Sequence, residues 1–140
     1  MQRKASAEWK GGLKDGRGTV TTASSVLNST PYSFATRFED QPGTNPEELI
    51  AAAHAECFSM ALSAQLGNAG MKPESIRTSA TLTMEKLEAG FTITAIYLEV
   101  AARVPGADPA AFEKAANNAK EGCPVSRVLK ANITMSAKLD

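Results

Sequence analysis

The chain has no surplus charge of either sign: fifteen basic and fifteen acidic side chains cancel over 140 residues. That removes the electrostatic steering that would bring it to nucleic acid or to an anionic lipid surface, so neither is expected as a partner. No apolar run approaches the roughly 20 residues of a membrane span, and no membrane association is expected. The start, Met1-Gln2-Arg3-Lys4, is basic, but no apolar signal region follows it, so the expected location is the cytoplasm. Internal repeats, low-complexity segments and linkers are all missing. The length suits a single domain, residues 1–140, with one core. There are two cysteines, too few for a disulfide scaffold. In a reducing compartment cysteines stay reduced unless they are catalytic or redox-sensing. Cys57 and Cys123 are therefore either inert or the seat of the chemistry. The count alone favours inert thiols, because free cysteine is among the most often buried residue types.

What is present reads as an α+β chain. Lys4 to Lys10 alternates, and Gly11, Gly12 and Gly16 punctuate the turn after it. Gly18 to Ser24 is rich in threonine and valine, and Tyr32 to Phe38 is a third extended piece. Together these predict a β-meander. Asn45-Pro46-Glu47-Glu48 then announces a helix: a capping side chain, a proline at the first position, and acids at the positive end of the dipole. The alanine-rich stretch that follows, to about Gly67 or Gly70, is apolar on most sides. A helix of that kind is expected to be buried. Thr78 to Glu85 and Phe91 to Val104 flank a turn at Glu88-Ala89-Gly90 and predict a long hairpin. Further helices are expected from Asp108-Pro109 to Gly122 and from Cys123-Pro124 to about Ala131. A last strand is expected over Ile133 to Leu139. The sum is β-rich ends around a central helix.

Cys123 lies between Gly122, which suits the end of one helix, and Pro124, which suits the start of the next. Free N–H groups at a helix N-terminus favour thiolate and lower a cysteine pKa from about 8.5 to roughly 3.5–7.5. A small residue at a helix junction explains the position as well. Cys57 lies mid-helix in Ala53-His54-Ala55-Glu56-Cys57-Phe58, where no terminus helps it, and as a nucleophile it would need a cation nearby. His54, three residues earlier, shares its face but is a weak activator, being half protonated only near pH 6.5. Glu56 is about 100° round the helix and is expected to point elsewhere. Arg37 ends the third extended piece, and a surface arginine or a pair with Glu39 would explain it. Glu47 falls in the first helical turn, where a dipole-stabilising acid is the ordinary explanation.

Taken together, Gly43-Thr44-Asn45-Pro46-Glu47-Glu48-Leu49, Ala52-Ala53-His54-Ala55-Glu56-Cys57-Phe58 and Gly122-Cys123-Pro124-Val125-Ser126 resemble the family of osmotically inducible protein C and the organic hydroperoxide resistance proteins (OsmC/Ohr). Val104-Pro105-Gly106 fits as well, and the resemblance runs over roughly residues 3 to 140. Pro31-Tyr32 through Thr36-Arg37-Phe38 looks like the osmotically inducible branch. The resemblance implies a thiol peroxidase with no metal, haem or other cofactor, acting in oxidative or osmotic stress defence. Cys57 would attack an organic hydroperoxide and pass through a sulfenic acid. Cys123 would resolve it as a disulfide, and a small dithiol or lipoyl-bearing reductant would reopen that bond. Arg37 matches the family's active-site arginine and Glu47 its glutamate, with Glu48 a lesser candidate. The fold implied is an OsmC-like intertwined homodimer with a site at each end of its interface.

One departure is Glu56, where the family leads us to expect a small residue. An extra acid there would weaken thiolate stabilisation. The local reading makes Cys123 the better thiolate, whereas the resemblance makes Cys57 the attacker. An arginine against a buried thiolate outweighs a helix terminus, because low dielectric strengthens the pair. Phe58, Met60 and Leu62 are expected to supply an apolar pocket for the alkyl group. Ten residues of unbroken helix would separate Glu47 from Cys57 by about 15 Å. Arg37 folding back or a helix break between Ala51 and Ala53 would close part of the gap, and the simpler expectation is that Glu47 of one chain meets Cys57 of another. The competing readings are a thiol switch without turnover, a zinc site from His54, Cys57 and Cys123, and a small-ligand binder with structural cysteines.

Overall fold

A computed structural model describes all 140 residues, Met1 to Asp140. By its contacts the chain divides into two compact units, residues 1–49 and 50–140. The α+β class is as expected, with six strands and four helices.

In the first unit β1 (Ala5–Lys10), β2 (Arg17–Thr22) and β3 (Thr30–Tyr32) form an antiparallel sheet in that order. Trp9 on β1 and Tyr32 on β3 reach across β2, with ring centroids 5.5 Å apart. Gly18 lies beneath both rings, and a Cβ there would collide with them. The sheet has almost no interior. Gly16 and Gly18 are the fully buried residues of this unit.

The third extended piece, expected over 32–38, stops at Tyr32. Ser33 then caps a short helix, α1 (Phe34–Phe38), instead. Its Oγ accepts from the Thr36 N–H, and Thr36 Oγ1 accepts from the Ser33 N–H, a reciprocal capping box. Five residues are too few to display a helical period, which is why the segment passes for a strand.

The long helix α2 (Pro46–Asn68) begins where its signals place it: Asn45 Oδ1 accepts from the Glu48 N–H at 2.8 Å. It was expected to be buried nearly all round. Instead it buries one stripe, His54, Phe58, Leu62 and Leu66, at a spacing of four, while Met60 is 70% exposed. By length and composition alone α2 is also apolar enough to cross a membrane, contrary to the expectation that no such run exists. Its buried stripe, however, belongs to the core described next.

In the second unit β4 (Ser75–Leu87) and β5 (Gly90–Arg103) form the expected hairpin, and β6 (Asn132–Leu139) pairs in parallel with β5. The parallel pairing requires a crossover, which α3 (Pro109–Gly122) and α4 (Pro124–Val128) supply. Asp108 caps α3 through Oδ2 and the Ala111 N–H, 2.9 Å. α4 is shorter than expected. Leu129 turns extended, and the helix ends at Val128 rather than near Ala131. Alternate residues of β5 (Ile96, Leu98, Val100 and Ala102) face Phe58, Leu62 and Leu66 of α2 and Phe112, Ala116 and Ala119 of α3 in one core. A strand with one buried face and a helix with one buried stripe is the pairing that period-2 and period-3.6 patterns produce.

Candidate active site

The four expected site residues form two pairs, one within each unit. In the first, Arg37 lies on α1 one residue beyond the Thr36 of the capping box. Asn45, the cap of α2, donates from Nδ2 to the Thr36 carbonyl at 3.2 Å, which ties the start of α2 to α1. Gly43, at φ +148°, permits the close pass, since a Cβ there would meet Thr36 Cγ2 at 2.7 Å. The result brings the Arg37 fork onto Glu47: Nη2 to Oε1 at 2.7 Å, and Nε to Oε1 and Oε2 at 3.1 and 3.2 Å. Such an ion pair is geometrically specific as well as strong. The guanidinium also lies 5.0 Å from the Phe38 ring centroid. Arg37 is thus paired with Glu47 on the next helix, rather than with Glu39. Glu48 gives its backbone N–H to the Asn45 cap.

In the second unit, Cys57 on α2 and Cys123 at the α3–α4 junction face each other, Sγ to Sγ 2.8 Å. Both are free thiols; Cys57 is half-buried and Cys123 has no exposed surface. Cys123 closes α3 and opens α4, as the flanking Gly122 and Pro124 predicted. The helix-terminus contribution is nevertheless made to the other sulfur. The backbone of Val125, in the first turn of α4, acts on Cys57 in the direction that favours its thiolate. Other influences outweigh it: burial foremost, then the hydrogen bond with Cys123 and the field of Glu56, and the Cys57 pKa is pushed up. Glu56 points to solvent, yet its charge acts on Cys57 in the direction its unexpected presence implied.

His54 does not activate Cys57. Its ring is fully buried and its Nε2 lies 2.7 Å from Ser126 Oγ on α4, while Nδ1 is buried without a partner. Burial holds its pKa below the ordinary 6.5, so the ring is neutral at neutral pH. With Nε2 given to Ser126, His54 does not join the two sulfurs as a third ligand, and no cluster of three metal-ligating side chains occurs in the chain. Phe58 and Leu62 are not pocket residues. Both are fully buried in the core, and Met60 points out on its own. Ser126 and Val125 were not recognised as site neighbours. Both lie in the motif around Cys123, but nothing in a linear sequence says which residues of α2 they meet.

Comparison with known proteins places the chain in a family. The family described as OsmC-like protein matches residues 38–138. Peroxiredoxin OsmC of Escherichia coli (strain K12) is 55% identical over 139 residues, covering 99% of this chain and 97% of that protein. An organic hydroperoxide resistance protein of Xanthomonas axonopodis pv. citri is 32% identical over 98 residues, 69% of this chain and 67% of that one. Among solved structures, the organic hydroperoxide resistance protein OhrB of Bacillus subtilis superposes with a TM-score of 0.68 at 25% identity, with 98% of each chain covered. With a family match over most of its length and a relative of that identity end to end, the chain belongs to the OsmC-like protein family.

Proposed function

We propose that the protein is a thiol-dependent peroxidase that reduces organic hydroperoxides to alcohols, with Cys57 as the attacking and Cys123 as the resolving thiol. The observation that carries the reading is the 2.8 Å approach of a half-buried thiol to a fully buried one. A bulky peroxide reaches only the sulfur that solvent reaches, so access favours Cys57 as attacker. The buried partner is suited to capture what forms. Cys57 thiolate takes the terminal peroxide oxygen and becomes a sulfenic acid while the alkoxide leaves and is protonated to the alcohol. Cys123 then attacks the sulfenic sulfur, an S–S bond replaces the S–O bond, and water departs. An external dithiol, small or lipoyl-borne, restores both thiols by exchange.

The raised pKa of Cys57 implies that a cation must be supplied for attack at neutral pH. Arg37, oriented by its fork to Glu47, is our candidate, and we place it in a homodimer in which Arg37 and Glu47 of one copy serve Cys57 of the other. Two features support that. α2 runs from Pro46 to Asn68 without a break, so ten residues of helix set Glu47 about 15 Å from Cys57 along it. The first unit fully buries only two glycines, and fewer than a quarter of the residues in the apolar stretch of α2 are buried, as expected of surfaces that a second copy covers. The chain would work as one domain in the cytoplasm, where dithiol reductants are abundant.

The test is turnover by the purified protein with a dithiol on cumene hydroperoxide, tert-butyl hydroperoxide and hydrogen peroxide. Each buried methylene contributes about 0.8 kcal/mol, so the organic substrates are expected to show higher kcat/KM. Equal or better efficiency on hydrogen peroxide removes the organic preference, and no turnover at all leaves a thiol switch.

A further inference from the structure

Alongside the two sulfurs runs a second contact between the same helices, and the peroxidase chemistry does not use it. His54 stands three residues before Cys57 on α2; Ser126 stands three residues after Cys123 on α4. The His54–Ser126 hydrogen bond, 2.7 Å, therefore lies about one helical turn from the sulfur pair and repeats its connection. It is a polar contact where an apolar one would be expected, because both residues are buried within an otherwise apolar core and His54 has no exposed surface.

The element it anchors is otherwise held by its junction with α3 and by Leu129 at its C-cap, which packs against the core. α4 is five residues long, too short to be stable by itself, and its last residue, Val128, is 76% exposed. Ser126 is its one buried helical residue. Yet α4 carries two groups that act on Cys57: the Cys123 sulfur at its N-cap and the Val125 backbone in its first turn. A fixed α4 keeps both at the reacting sulfur, and a loose one withdraws both.

We propose that His54 and Ser126 are a positioning pair that clamps α4 onto α2 and thereby holds Cys123 against Cys57, setting how often oxidised Cys57 closes to the disulfide rather than being oxidised further. The competing steps balance as follows. In closure, the Cys123 thiol and the Cys57 sulfenic acid form S–S and release water. In over-oxidation a second hydroperoxide gives its terminal oxygen to the sulfenic sulfur, leaving a sulfinic acid and an alcohol. Closure is unimolecular and depends on where Cys123 sits, whereas over-oxidation depends on peroxide concentration. Loosening α4 slows only the first, so the partition between them reads the clamp directly. The roles in this competition rest on the peroxidase reading above; the geometry of the clamp does not.

Ser126→Ala removes one hydroxyl, His54→Leu removes the ring's hydrogen-bonding atoms, and His54→Gln keeps an amide that can donate or accept at similar reach. Two measurements are made on each full-length variant, with folding checked by circular dichroism. The first uses no peroxide: the Cys57–Cys123 disulfide is equilibrated against a glutathione buffer. The effective concentration of one thiol at the other is expected to fall about fivefold in Ser126→Ala and His54→Leu, in line with the loss of one buried hydrogen bond, and to recover in His54→Gln. The second is the yield of Cys57 sulfinic acid by mass spectrometry after graded cumene hydroperoxide. It is expected to rise several-fold in the first two variants at the same total oxidation. Wild-type equilibrium and wild-type sulfinic yield in folded Ser126→Ala would overturn the proposal. So would equal loss in His54→Gln and His54→Leu with Ser126→Ala unchanged, which would make His54 a packing residue only. If the protein proves not to consume peroxide, the peroxidase reading fails, and the glutathione equilibrium still decides whether the clamp exists.

Discussion

Cys57 and Cys123 are 66 positions apart in the chain and 2.8 Å apart at sulfur, one half-buried on the long helix and the other sealed at a helix junction. Only the half-buried member is open to solvent, which is the ground for proposing it as the attacking thiol.

Substitution should separate the two roles. Cys57→Ser is expected to abolish organic hydroperoxide reduction, while Cys123→Ser retains a single turnover and accumulates Cys57 as sulfenic and then sulfinic acid. Mass spectrometry after one equivalent of peroxide reads both outcomes. A Cys57→Ser protein that consumes peroxide at the wild-type rate would make Cys123 the attacker.

The charge around Cys57 gives a prediction of opposite signs. Burial, Cys123 and Glu56 raise its pKa, so thiolate is scarce at pH 7 unless a cation opposes them. Arg37→Ala is expected to shift the pH profile of Cys57 alkylation upward and to lower kcat/KM about a hundredfold, as loss of a charge-stabilising donor does. Glu56→Gln should shift the same profile downward and raise alkylation at pH 7 about twofold. Because Glu56 is exposed, that gain should fade in high salt. An unchanged profile in Arg37→Ala would remove Arg37 from the site.

Sharing of the site between copies can be tested by mixing. Cys57→Ser and Glu47→Ala proteins are each expected to be inactive. After subunit exchange, a heterodimer would unite intact Glu47 with intact Cys57 at one of its two sites and recover activity. If exchange is demonstrated and the mixture stays inactive, the site is built within one chain.

The buried imidazole predicts how stability varies with pH. Burial lowers the His54 pKa from 6.5, so below that value the unfolded chain binds a proton that the folded chain refuses. The stability gained by keeping the ring neutral is complete above about pH 6.5 and is lost as pH falls toward the lowered folded value. The slope approaches about 1.4 kcal/mol per pH unit. Urea denaturation of wild type and His54→Gln between pH 7.5 and 5 checks this. The stability of wild type relative to His54→Gln should fall as pH falls, and a constant difference would contradict the neutral buried ring.

Most element boundaries set by local backbone chemistry were legible in the amino-acid order. Asn45 before Pro46, Asp108 before Pro109, Gly90 in the hairpin turn and Gly122-Cys123-Pro124 at the helix junction each fix an element boundary within a few residues, because caps, turns and prolines act on their immediate neighbours. Arg37, Glu47, Cys57 and Cys123 were singled out by the family resemblance of three motifs together, since each alone has an ordinary structural explanation. The sequence misread α1 as extended, since the only sign of that helix is Ser33 with Thr36 three residues on. Tertiary structure alone decided the rest. An apolar helix such as α2 has no preferred face until a sheet is placed against one, and β5 selected the stripe of Phe58, Leu62 and Leu66. That choice turned His54 inward to Ser126, 72 residues away, and removed Phe58 and Leu62 from any role at the site. It also brought α4 beside Cys57, so the Val125 backbone in the helix that Cys123 opens acts on the other thiol. A hydrogen bond depends on distance in space, and the chain order does not contain that distance until the core has formed.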